Sequence, residues 1–81
     1  MDVRNTVREF VIENFYIADP STLSDERSLL DEGIVDSTGI LEVIFFLEDR
    51  FQITIEDEEM VPENLDSITA IVAFVTRKAT P

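Results

Sequence analysis

The stretch Ser37 to Phe51, STGILEVIFFLEDRF, constrains the fold more than any other part of the chain. At about 100° per residue, Ile40, Val43, Ile44, Phe46, Leu47 and Phe51 gather on one side of a helix. That is a complete apolar stripe, and it must be buried against other amphipathic elements. Two further segments supply them. After Asp2, a helix-capping residue, Val3, Val7, Phe10 and Val11 recur at helical spacing with Asn14 on the same side, predicting a helix that ends near Phe15. The segment DSITAIVAFVTRKA predicts a last helix that begins at Asp66-Ser67. It carries Arg77 and Lys78 in its final turn, where the helix dipole favours cations.

The remainder reads as connections. Tyr16 to Val35 is a long loop, of a length that compact domains carry only with short turns inside it or with a function. Ser28–Asp31 is expected to form such a turn, with Leu29 and Leu30 anchoring it to the core. FQITI, Phe51 to Ile55, alternates like a strand, but there is no second strand to pair with it. It is therefore expected to be an extended connector whose Ile53 and Ile55 enter the core. Glu56–Val61 is expected to be a short helix with its acids in the first turn, stopped by Pro62. The sum is an all-α fold, a small four-helix bundle of three main helices and one short one, in a single domain spanning 1–81. Two glycines and three prolines in 81 residues agree with helices rather than a many-turned β fold.

Composition limits the chemistry. The chain has no Cys and no His, which excludes a thiolate nucleophile, a disulfide and the usual general base, and leaves no expected metal site or catalytic residue. From Ser28 to Asp66 there are twelve acids against one base, Arg50, within a net charge of −12 for the whole chain. Such a surface repels nucleic acid and anionic membrane and attracts a basic protein patch. No apolar run reaches the roughly 20 residues needed to span a bilayer, and no apolar signal segment opens the chain. The expectation is a cytoplasmic protein that inserts in no membrane.

The side of the second helix away from its apolar stripe collects Ser37, Thr38, Leu41, Glu42, Phe45, Glu48 and Asp49. Leu41 and Phe45 thus point outward among carboxylates, either as the centre of a partner-binding face or as a surface that the Tyr16–Val35 loop covers. At the start of this helix stand two capping residues side by side, Asp36 and Ser37. If Asp36 caps, Ser37 lies in the first turn with a free Oγ, where backbone N–H groups and the dipole favour an attached phosphate. If Ser37 caps, a capping box would want Glu or Gln three residues on, and Ile40 is there. The same dipeptide at Asp66-Ser67 has no charged face around it and reads as capping only.

With GIVDS before a helix, LEDRFQITIEDEEM after it and LDSITAIVAFV near the end, the sequence resembles the acyl and peptidyl carrier proteins over nearly its whole length. The residue after the serine, commonly Leu in that family, is here Thr38, followed by Gly39. The resemblance implies a four-helix fold and a 4′-phosphopantetheine arm attached covalently to Ser37 beside Asp36. It implies tethering rather than catalysis: an acyl or aminoacyl cargo is held as a thioester and presented to successive enzymes. Thr38, Leu41, Glu42, Phe45, Glu48 and Asp49 would then meet the partners. These would be a phosphopantetheinyl transferase, and an acyl- or aminoacyl-adenylating ligase or synthase enzymes with basic docking patches, acting on a monomer. The GIVDS form also resembles free-standing carriers of the D-alanyl type. The alternative is a small acidic helical adaptor that binds a basic partner without a cofactor.

Overall fold

Asp2 opens the first helix, α1 (Val3–Asn14), by accepting the Asn5 N–H at 3.1 Å. The computed structural model describes residues 2–15, 17, 19, 21 and 23–79; Tyr16, Ala18, Pro20 and Thr22 of the expected loop lie outside them. The second helix, α2, runs Ser37–Phe51, followed by a 3₁₀ turn at Asp57–Glu59, a single-turn α3 (Pro62–Leu65) and α4 (Ile68–Ala79). There is no strand among the described residues. α4 carries Ile68, Ile71, Phe74 and Val75, all buried, and packs against α1, α2 and α3. Val7 and Val11 of α1 and Val43, Ile44 and Leu47 of α2 close the same core.

Aromatic rings bind α1 to α2. Phe10 stacks on Phe46 with ring centroids 4.0 Å apart, Phe15 stands edge-on to Phe10 at 6.1 Å, and Phe51 stands edge-on to Phe46 at 6.4 Å. This ladder runs from the C-terminal end of α1 to that of α2. Offset and edge contacts of this kind add to what burial alone contributes.

The long connection is pinned rather than draped. The Asp25 carboxylate pairs with Arg4 and with Arg8, the latter at 2.7 Å, while Arg8 also donates to the Leu23 carbonyl at 2.8 Å. The Asp25 carbonyl accepts the Thr69 N–H of α4 at 2.9 Å, so one loop residue joins both helices. Leu23 and Leu29 are buried. Leu30, expected beside Leu29 in the core, is instead 39% exposed. The backbone explains it: Leu29 N–H donates to the Asp66 carbonyl at 2.7 Å and Leu30 N–H to the Asp66 carboxylate at 2.9 Å, which aims successive side chains apart.

Two other expectations change. The short helix is not Glu56–Val61: that stretch holds the 3₁₀ turn, and Pro62 begins α3 instead of stopping a helix. Proline suits the first helical position, because its missing N–H would have no partner there and its φ is already helical. The connector after α2 is extended as expected, with Ile55 buried and Ile53 half-buried. It needs no partner strand, because Ile55 N–H donates to the Glu48 side chain at 3.0 Å.

Asp25 gives this clamp a pH signature. Burial pushes its carboxyl up, but the hydrogen bonds and charges of Arg8 and Arg4 outweigh that and hold it below the ordinary 3.8. With the folded pKa depressed, the unfolded chain takes up the proton first, so the contribution is whole above 3.8 and is lost as pH falls through the folded value. Asp25→Asn should lower the melting temperature at neutral pH, and the gap to wild type should narrow in melts carried progressively below pH 3.8. A gap unchanged across that range would show that the charge on Asp25 contributes nothing.

Candidate functional site

Asp36 sits in extended conformation, and its carboxylate accepts the Gly39 N–H at 2.7 Å while its carbonyl accepts the Ile40 N–H at 3.0 Å. Asp36 is therefore the cap of α2, and Ser37 is the first residue inside the helix. Ser37 is exposed, and its Oγ makes no hydrogen bond to the described residues. The N–H groups of Ser37 and Thr38 belong to the first turn, where a helix leaves donors without intrahelical acceptors.

The second Asp-Ser pair divides its work the other way. Ser67 Oγ accepts the Ala70 N–H at 3.0 Å and caps α4. Asp66 is turned aside, accepting from Ser28 Oγ and from Leu30 N–H. The pair thus does more than cap, since Asp66 also holds the loop. At Asp36-Ser37 the spare group is the hydroxyl; at Asp66-Ser67 it is the carboxylate.

Along α2 the structure places Ser37, Thr38, Leu41, Glu42, Phe45 and Asp49 in solvent, with Leu41 50% and Phe45 65% exposed. The loop does not cover them. Glu48 departs from the group: it is half-buried and occupied by the Ile55 N–H. The acidic rim of this face is therefore Glu42 and Asp49, with Glu48 tying the connector back to the helix. Its dual position was not visible from the helical phase alone, because the connector folds back from seven residues away.

Two hollows flank the start of α2. One is an open depression of about 340 Å³ between the end of α1 and the first turns of α2, with Asn14, Phe15, Asp36, Thr38 and Glu42 in its wall. The other is an apolar cleft of about 100 Å³ formed by Leu30, Ile40, Met60, Val61, Pro62 and Leu65. Ile40 lies one turn beyond Ser37, so this cleft adjoins the serine's helix end. Leu30 and Met60, both partly exposed, are site-proximal residues that the periodicity did not mark. The Leu29-Leu30 doublet was the only available signal, since adjacent side chains on a turn rarely bury together.

Among the described residues no group of acidic side chains is placed to hold a metal, and no helix is long and apolar enough to cross a membrane. The chain is thus acidic and helical, with a serine hydroxyl free at a helix start and an exposed apolar pair further along the same face. It is 37% identical to the D-alanyl carrier protein of Streptococcus suis over 93% of this chain and 92% of the relative. To the D-alanyl carrier protein of Streptococcus sanguinis it is 37% identical over 94% of each. To an acyl carrier protein of an Exiguobacterium species it is 38% identical over 74% of this chain and 73% of the relative. No protein-family model matches. The chain belongs to the family of acyl and D-alanyl carrier proteins.

The contrast between the two serines is testable by stability alone. Ser67→Ala removes a cap and should cost about 1 kcal/mol, or about 4–8 °C in melting temperature for a domain of this size. Ser37→Ala should leave the melting temperature within a degree or so of wild type, because Asp36 keeps the cap. Equal losses at both serines would mean that Ser37 shares the capping of α2.

Proposed function

We propose that Ser37 carries a covalent 4′-phosphopantetheine arm and that the protein presents a small aminoacyl cargo, D-alanyl in the first instance, to partner enzymes. The single observation that carries the reading is the free, exposed Ser37 Oγ at the start of a 15-residue helix whose cap is already supplied by Asp36. The fit to a phosphodiester is physical. The Ser37 and Thr38 N–H groups and the helix dipole favour an anion there, and the Asp36 carboxylate is engaged by the Gly39 N–H. When bound, the arm supplies the terminal thiol that a chain without Cys lacks.

Cargo size follows from packing. The core residues from Val7 to Val75 are 0–6% exposed, and the apolar hollow at the helix end measures about 100 Å³. That volume takes a few methylene groups, which favours a short cargo over a long acyl chain. The relatives named D-alanyl carrier protein support the same choice. An adenylating ligase that activates the amino acid is the partner this requires, along with a phosphopantetheinyl transferase that installs the arm.

Partners reach the arm across the outward face of α2. Leu41 and Phe45 would supply the desolvated centre of that contact, with Thr38 beside them, and Glu42 and Asp49 the charged rim. A partner with a basic patch fits a face of this sign.

Incubation with coenzyme A and a phosphopantetheinyl transferase, followed by intact-mass measurement, should show one pantetheine-sized adduct on wild type and on Ser67→Ala, and none on Ser37→Ala. An adduct that survives in Ser37→Ala, or none on wild type, would overturn the assignment. Loading of the modified protein with D-alanine by its ligase should fall on the order of tenfold or more in Phe45→Ala at any salt, with folding unchanged. Asp49→Lys should slow loading mainly at low salt, because rim charges act on encounter rate and are screened over about 8 Å at physiological ionic strength. Indifference of loading to both substitutions would move the docking face elsewhere.

A further inference from the structure

Gly39 lies buried in the first turn of α2, two residues after Ser37. A Cβ there would stand 2.8 Å from Phe15 Cε1, 3.2 Å from Val35 Cγ1 and 3.3 Å from Asp36 Oδ1. The first of these is closer than such carbon atoms approach, so a neighbour would have to move. Alanine is the better helix former, so helix propensity gives no reason for glycine at this position.

The Phe15 ring, half-buried in the wall of the open depression, must move most, and its shift reaches other groups. The Phe15 ring is held edge-on by Phe10, which is stacked on Phe46 across the α1–α2 interface. Val35 is buried. Asp36 Oδ1 is the acceptor for the Gly39 N–H itself. A methyl group at position 39 would therefore press on the ring ladder and on the capping carboxylate together. If Asp36 is displaced, its carbonyl releases the Ile40 N–H as well, and the other capping residue at hand, Ser37, would turn its Oγ inward to accept it.

We propose that Gly39 is a positioning residue for modification of Ser37: by admitting the Phe15 ring against the helix start, it keeps Asp36 as the cap and Ser37 Oγ outward. This rests on the reading of Ser37 as the attachment site. The docking face of Leu41 and Phe45 lies further along α2 and is untouched, so binding to the transferase and the chemistry separate.

The test is transferase kinetics with coenzyme A on wild type, Gly39→Ala and the double variant Gly39→Ala/Phe15→Leu, each first checked for folding by circular dichroism. In Gly39→Ala, kcat should fall on the order of tenfold or more with KM for the carrier little changed. Phe15→Leu shortens the opposing ring, so the double variant should recover most of kcat even where it melts lower than wild type. A folded Gly39→Ala with wild-type kcat overturns the proposal, and so does a loss in KM alone. Should Gly39→Ala fail to fold, the double variant decides: folded and modified at the wild-type rate, it supports the proposal; slow or unfolded, it overturns it. Failure of the Ser37 assignment would show separately, as a wild-type protein without an adduct or a Ser37→Ala variant that still acquires one.

Discussion

The rotation of α2 about its own axis governs most of what this molecule presents. Val43, Ile44 and Leu47 are 0–2% exposed in the core they share with α4, and no other phase of the helix would bury all three. With that phase set, Ser37, Leu41 and Phe45 must face outward. The loop could hide them only by crossing α2. It is held elsewhere, by Asp25 on α1 and α4 and by Asp66 at the start of α4. An exposed phenylalanine therefore persists beside the serine, and its exposure follows from how the rest of the bundle is tied.

Positive charge is scarce and mostly engaged. Arg4, Arg8, Arg27 and Lys78 form ion pairs, and Arg77 donates to Asn64 at 3.2 Å while lying over the Phe74 ring. Arg77 and Lys78 thus do more than complement the dipole of α4: Lys78 grips Glu59 of the 3₁₀ turn at 2.8 Å. That hydrogen bond, joined by one from the Glu56 N–H, holds the Glu59 carboxyl below its ordinary value. Such exposed pairs contribute little individually. Their placement matters more, because bases paired on other elements leave the outward face of α2 to its acids. A field of one sign around an apolar centre favours encounter with surfaces of the opposite charge.

Much of this was legible in the residues, and the failures have physical causes. α1, α2 and α4 bury stripes at helical spacing, so their ends fell where capping residues and the dipole placed them. What the sequence does not carry concerns groups whose partners are distant in it. Apolarity places Leu30 in the core but carries no direction, and Asp66 decides that direction from 36 residues away. The helical wheel places Glu48 on the charged rim but ends where the helix ends, and its partner Ile55 lies in the connector. Pro62 can stop a helix, but at a first helical position proline is equally a start, as it is here. The role of Gly39 was hidden for the same reason: what it accommodates belongs to another helix's end.

The two Asp-Ser pairs show how one dipeptide yields opposite results. Either side chain can accept a first-turn N–H, so local preference is nearly balanced and a weak outside influence decides. At Asp66 that influence is present: Ser28 Oγ and Leu30 N–H together draw the carboxylate away, and Ser67 takes the cap. At Asp36 no such donor among the described loop residues competes, and the carboxylate stays on the Gly39 N–H. The hydroxyl is left over. Ser37 Oγ is left without a partner because, among the described residues, its neighbouring aspartate has no competing tertiary bond, while Asp66 has two.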